Sequence, residues 1–229
     1  MSFITGLKDI GKLVDEAEAQ QNTTKTKWLN SSIQSGHSAN VRFINEMDEN
    51  SPHYDPERGL ALVAYEHSNP DDFRRKAVCT MEDEGRCFGC ELNARGKKGW
   101  WKKPRFYINV LVDNGVDDPF VATWSMGVKR SVAFETIREY ALETKSVSNL
   151  KWRLKRSGAG TDTTWTLIPT APDAVPFDWG KAMLEATNSV QAPNLESALR
   201  QVPYSEQETF YLAVKPQHAE EVAESGVPW

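Results

Sequence analysis

At 229 residues with 39% hydrophobic side chains, the chain can bury one full core and still carry extensions, so one domain with arms is expected rather than two complete domains. No apolar run approaches the roughly 20 residues needed to cross a bilayer, and the opening MSFITGLKDIGKL lacks the features of a secretory signal, so no membrane association and a cytoplasmic location are expected. The net charge of −5 argues against strong phosphate binding, yet RGKKGWWKKPR from Arg95 to Arg105 holds six basic residues and no acidic one, while 216–229 holds Glu220, Glu221 and Glu224 with no Lys or Arg.

In chain order, Phe3, Leu7, Ile10 and Val14 fall at helical spacing and predict an amphipathic helix over 3–18. Polar stretches then flank Trp28 and Leu29 and read as a linker with a short strand embedded in it. Alternation over 39–46 and the apolar run LALVAYE at 60–66 predict two strands. RFYINVLVD at 105–113 and PFVATWSM at 119–126, joined by NGVDDP, predict a hairpin. Phe134, Ile137 and Ala141 predict a helix from Ser131, the N-cap, to Glu143. LKWRLKR at 150–156 and TWTLIP at 164–169 predict a second hairpin around SGAGTD, which lacks the Gly-Lys-Ser/Thr of a phosphate cradle. Segments 177–188 and 205–213 read as helices. Several short strands interrupted by one helix fit a mainly β fold with helical extensions, an OB-like Greek-key barrel with an inserted zinc-ribbon-like loop. The expected division is an arm at 1–27, the OB-like core at 28–172 with a zinc subdomain near 67–95, a helical extension at 173–214 and an acidic tail at 215–229.

The three cysteines lie within twelve residues, too few and too close for a disulfide framework. His67, Cys79, Cys87 and Cys90 form H-x11-C-x7-C-x2-C, a Cys₃His set that suits one structural Zn²⁺ and leaves no open position for a catalytic water. His53, in SPHYDP, is the rival to His67 as the fourth ligand. A zinc deaminase would need His-x-Glu and Pro-Cys-x-x-Cys, whereas here Ser68 and Asn69 follow His67, and Arg86 precedes the CFGC pair. No nucleophile and base pair with a supporting motif is visible, so no catalytic residue is assigned.

Directly after the cysteines, Arg95, Lys97, Lys98, Trp100, Trp101, Lys102, Lys103, Arg105 and Tyr107 interleave cations with rings. Single-strand binders need this mixture, cations following phosphates while rings stack on bases. Strand parity assigns Phe106 to the core and lets Tyr107 face a ligand. The same parity places Trp152 in the core and leaves Lys151, Arg153 and Lys155, with Arg156, as a second cationic row able to line the same groove. Adjacent Trp100 and Trp101 cannot both point inward, so one indole is expected to be exposed or to close the groove.

On these residues, the chain from about 28 to 172 resembles the zinc-containing single-stranded DNA-binding, helix-destabilising proteins of tailed bacteriophages, through the order of His67, Cys79, Cys87 and Cys90 within an OB-like strand pattern, the strand RFYINVLVD and the later KRSGAGTDTTWTLIP hairpin. The resemblance implies sequence-independent coating and protection of single-stranded DNA in phage replication, recombination and repair, in the cytoplasm of the host bacterium, with one structural zinc on those four residues and DNA contacts in the region of Trp101, Lys103, Arg105 and Tyr107. Members of this class use a basic amino-terminal arm for cooperative binding, whereas residues 1–20 here carry Asp9, Asp15, Glu16 and Glu18 against Lys8 and Lys12. The end EEVAESGVPW is similar to the tails through which single-strand binders recruit replication or recombination partners, with Val227, Pro228 and Trp229 as the tip. The alternatives are a zinc-ribbon regulator or assembly protein that reads duplex DNA or a protein partner, and a nucleic-acid-processing enzyme.

Overall fold

The structure, a computed structural model, describes residues 27–113, 115, 118–171 and 175–213. The expected amphipathic arm and the acidic tail with Val227, Pro228 and Trp229 lie outside the described residues. The architecture is mainly β, with antiparallel strand pairing and a few helices. Two compact units share the chain: Met1–Ala64 with Pro104–Leu199, and Tyr65–Lys103 with Arg200–Trp229.

The first unit contains β1 (Ser38–Phe43), β4 (Lys103–Asp113, whose first residue belongs to the second unit), β5 (Phe120–Gly127), β6 (Trp152–Ser157) and β7 (Thr164–Pro169). These strands are ordered β5-β4-β1-β6-β7, every neighbour antiparallel. Register follows the apolar pattern: Val41 faces Val112, Ile108 faces Trp124 and Leu154 faces Leu167. One face of the sheet forms the core, in which Phe43 stacks on Trp124 at 6.3 Å and meets Trp152 edge-on at 5.4 Å.

Between β5 and β6 the chain makes α3 (Val132–Thr144), where Ser131 Oγ accepts from the Phe134 N–H at 3.2 Å and caps the first turn. Its Ala133, Phe134 and Ile137 close that core. The helix stops at Lys145, which takes a left-handed φ of 64°. Glu46, 2% exposed, braces the segment after it by accepting from Ser146 Oγ and from the backbone N–H groups of Val147 and Ser148.

The opposite face of β4 is covered too. Leu111 packs with Ile44 and with Met183 of α4 (Trp179–Thr187), and the Arg42 guanidinium lies 4.0 Å over the Phe177 ring. A short α1 (Leu29–Ser32) inserts Leu29 into the core, just after Trp28. The helical segment expected at 173–214 is shared out: α4 belongs to the first unit, α5 (Tyr204–Leu212) to the second.

The second unit is built on a hairpin of β2 (Leu62–Asn69, whose first three residues belong to the first unit) and β3 (Asp72–Val78). After β3 comes the loop of the cysteines and α2 (Phe88–Ala94). Its own small core joins Ala77, Phe88, Trp100, Val202 and Tyr211. β3 and α2 have no counterpart among the predicted elements, because DFRRKAV is charged and FGCELNA is short.

Candidate metal centre

Four donors converge in the second unit. His67 stands on β2, Cys79 directly follows β3, Cys87 is the N-cap residue of α2 and Cys90 lies in that helix's first turn. The C-x-x-C spacing therefore works by winding: the helix start returns the second sulfur to the side of the first. Their ligand atoms all lie within 4.8 Å of one another, with Cys79 Sγ 3.6 Å from Cys90 Sγ and Cys90 Sγ 3.3 Å from His67 Nε2. His67, Cys79 and Cys87 are buried and Cys90 is partly so. This cluster could bind one metal ion. The rival His53 sits in the first unit, where its carbonyl accepts from Arg58 at 2.7 Å, so the histidine of the cluster is His67.

The surroundings orient the donors. His67 Nδ1 lies 2.7 Å from the Trp100 carbonyl, which can only accept, so the proton sits on Nδ1 and the Nε2 lone pair points into the cluster. The Cys79 N–H donates to the Tyr65 carbonyl at 2.8 Å, fixing the end of β3 against β2. Gly89 fills the C-x-x-C interior because a β-carbon there would overlap the His67 imidazole. Gly85, at φ +68°, turns the chain back toward Cys87.

Burial pushes the Cys87 thiol up, but the His67 ring and the Cys90 and Thr80 backbone outweigh it and hold the thiol at about 6. Burial, followed by the side chain of Cys79 and the charge of Cys87, pushes Cys90 up to about 12. Burial likewise raises the Cys79 thiol. Three sulfurs this close therefore resist losing all their protons together, and a divalent cation among them removes that opposition.

Residues from the far end of the chain complete the centre. Gln207, fully buried on α5, accepts from the Phe88 N–H at 2.9 Å and donates to Thr80 Oγ1 and the Val202 carbonyl. Thr80 in turn donates to the Arg86 carbonyl at 2.6 Å, so one side chain ties both ends of the cysteine loop. Tyr211 stacks on Phe88, and its hydroxyl donates toward the His67 and Ala77 carbonyls at 3.3 and 3.4 Å. Nothing in the local sequence around the cysteines signals either residue.

The basic aromatic segment leaves this centre through Trp100. Its indole is buried edge-on against Phe88 and Tyr211 while its carbonyl holds His67, which corrects its expected place among DNA-contacting residues. Trp101, next in the chain, is 53% exposed. Lys97 and Lys98 are exposed, Arg95 pairs with Glu91 at 3.6 Å, and Lys102 approaches Glu82 at 3.9 Å. In the first unit, Arg105 donates to Ser125, and Tyr107 is 1% exposed with its ring against Trp28 at 6.3 Å. The expectation that Tyr107 faces a ligand is thereby corrected, because parity could not foresee that both faces of β4 are covered. Arg153 and Lys155 are exposed and Lys151 is half-buried, whereas Arg156 donates to the Asn30 and Ile33 carbonyls at 2.8 and 2.7 Å and serves the fold. No family model matches the chain, and no curated protein is significantly similar to it.

Proposed function

We propose that this chain is a non-catalytic, sequence-independent single-stranded DNA-binding protein with one structural zinc, of the kind tailed bacteriophages use to coat and protect DNA during replication, recombination and repair. The observation that carries the reading is Trp101: a half-exposed indole with Lys103 Nζ 5.2 Å from its ring, on a segment whose preceding residue is anchored to the metal centre. A ring held in solvent by a rigid support has surrendered hydrophobic burial, and stacking on an unpaired base recovers it. The exposed Lys97, Lys98 and Lys102 supply the charge that such a ligand's phosphates require.

Zinc is favoured because three thiolates and an imidazole are a borderline-soft tetrahedral set that closes the coordination sphere. His67, Cys79, Cys87 and Cys90 would hold it, and its role would be to fix the loop between β3 and β4 rather than to activate water. The order β5-β4-β1-β6-β7, with α3 between β5 and β6, supports an OB-type core, and Trp165 of β7 packs 5.4 Å from Trp124 of β5. The test is a titration with dT oligomers and with random duplex at two salt concentrations, beside elemental analysis of the purified protein. Single-strand binding without base preference and one zinc per chain are expected. Preference for one duplex sequence would replace the reading with that of a regulator, and a chain purified without chelator yet free of zinc would remove the metal assignment.

A further inference from the structure

Three exposed aromatic rings of the second unit each lie against one of two consecutive lysines. Phe73 on β3, Trp101 after the metal centre and Tyr65 on β2 are 65%, 53% and 44% exposed. Lys103 Nζ lies 5.9 Å from the Phe73 ring and 5.2 Å from the Trp101 ring, and Lys102 Nζ lies 4.7 Å from the Tyr65 ring. Lys103 thus joins Trp101 and Phe73, from two separate chain segments, and the adjacent Lys102 contacts Tyr65 from a third.

Phe73 is there because the hairpin is irregular. Ser68 pairs with Lys76 and Asn69 with Asp72, so Phe73, Arg74 and Arg75 are extra residues on β3 at the register shift between Ser68 and Asn69. A bulge of this kind takes a side chain off the strand's alternation and aims it elsewhere. Here it gives the most exposed of the three rings to solvent, next to the exposed Arg74. A large ring beside the hairpin turn adds nothing to the unit's core, whose aromatic members are Phe88, Trp100 and Tyr211.

We infer that Tyr65, Trp101 and Phe73 form a base-stacking track for single-stranded nucleic acid, with Lys102 and Lys103 as its phosphate contacts. This rests on the single-strand reading and extends it to two rings and a hairpin that the sequence reading assigned no binding role. Charge complementarity selects the occupant: rings alternating with cations suit a chain in which flat bases alternate with phosphates. In the free chain the ammonium groups lie over the ring faces in exposed, weak contacts. An arriving base takes the ring face, and the long lysine stem lets each ammonium swing to the neighbouring phosphate.

The test uses the full chain with fluorescently labelled dT oligomers at fixed salt. Phe73→Ala and Tyr65→Ala are each expected to weaken binding about tenfold, within the roughly 5- to 150-fold range of one stacked base. Because rings release no counterions, the slope of log K against log salt should stay unchanged, and Phe73→Trp should restore the affinity. Metal content and thermal transition are followed in parallel. Should either alanine variant prove misfolded, photo-crosslinking of a 5-iodouracil oligomer to the intact chain decides, with adducts on Phe73 or Tyr65 expected. Full affinity in well-folded alanine variants, or adducts confined to other residues, overturns the track while leaving single-strand binding in place. Failure of the intact chain to bind the oligomer at all overturns both.

Discussion

At the scale of single residues, the candidate metal centre depends on Gly89 as much as on its four donors. A methyl group there would overlap the His67 ring, and that ring is pinned by its bond to Trp100 and cannot swing away. Forcing a side chain into packed surroundings costs about 1–3 kcal/mol, so Gly89→Ala should raise the rate at which a colorimetric chelator strips the metal, with a smaller loss of thermal stability than Cys87→Ser causes. Unchanged release kinetics would mean that the imidazole has room the geometry denies it. The clustering of the four donors was legible in the sequence because a shared metal would impose such spacing on chemically rare residues. Gly89 was not, since its role is an absence of volume seen only once His67 is in place. Glu46 was equally silent: a carboxylate buried against Ser146 and Ser148 is joined to them across a hundred residues, and no local pattern encodes that bond.

Among the elements, those with a strong apolar period were readable. The strand expected at 105–113 is β4 at Lys103–Asp113, and the helix expected from Ser131 to Glu143 is α3 at Val132–Thr144, because one buried face repeats every second or every third to fourth residue. β3 escaped because its bulge breaks the alternation and its buried surface is little more than Ala77. α5 was expected as a helix, but its task was not, since its contacts with the cysteine loop lie more than a hundred residues away. Gln207 satisfies the Phe88 N–H, the Val202 carbonyl and Thr80 in a site without solvent. Leaving such partners unmet costs about 1–3 kcal/mol for each stranded group. Gln207→Ala should therefore destabilise the second unit by about 2–4 kcal/mol, read as earlier proteolytic cleavage within 80–95 and faster metal release, with the first unit's transition unchanged. A variant as protease-resistant as the parent would show that the cysteine loop stands without α5.

For the whole molecule, the question is how a chain of net charge −5 would bind a polyanion. The answer offered by the sequence is segregation, with Arg95 to Arg105 free of acids and 216–229 free of Lys and Arg. If about 4–6 phosphates are neutralised, log K should fall against log salt with a slope of about −3 to −4, and Lys102→Ala with Lys103→Ala should flatten it. The acidic segment bearing Glu220, Glu221 and Glu224 follows α5, whose Tyr211 carbonyl accepts from Asn69 at 2.8 Å, so it continues from the same unit that carries Trp101. If these carboxylates reach the lysines, they compete there with phosphate at the high effective concentration of a tethered group, an opposition that salt screens. A chain truncated after Lys215 should therefore bind single strands more tightly than the intact chain at low salt, and the two affinities should converge as salt rises. If Val227, Pro228 and Trp229 are the partner anchor, the same truncation abolishes capture of replication proteins while DNA binding improves. Equal affinities at low salt would rule out the competition, and capture that survives truncation would rule out the anchor, each without touching the other.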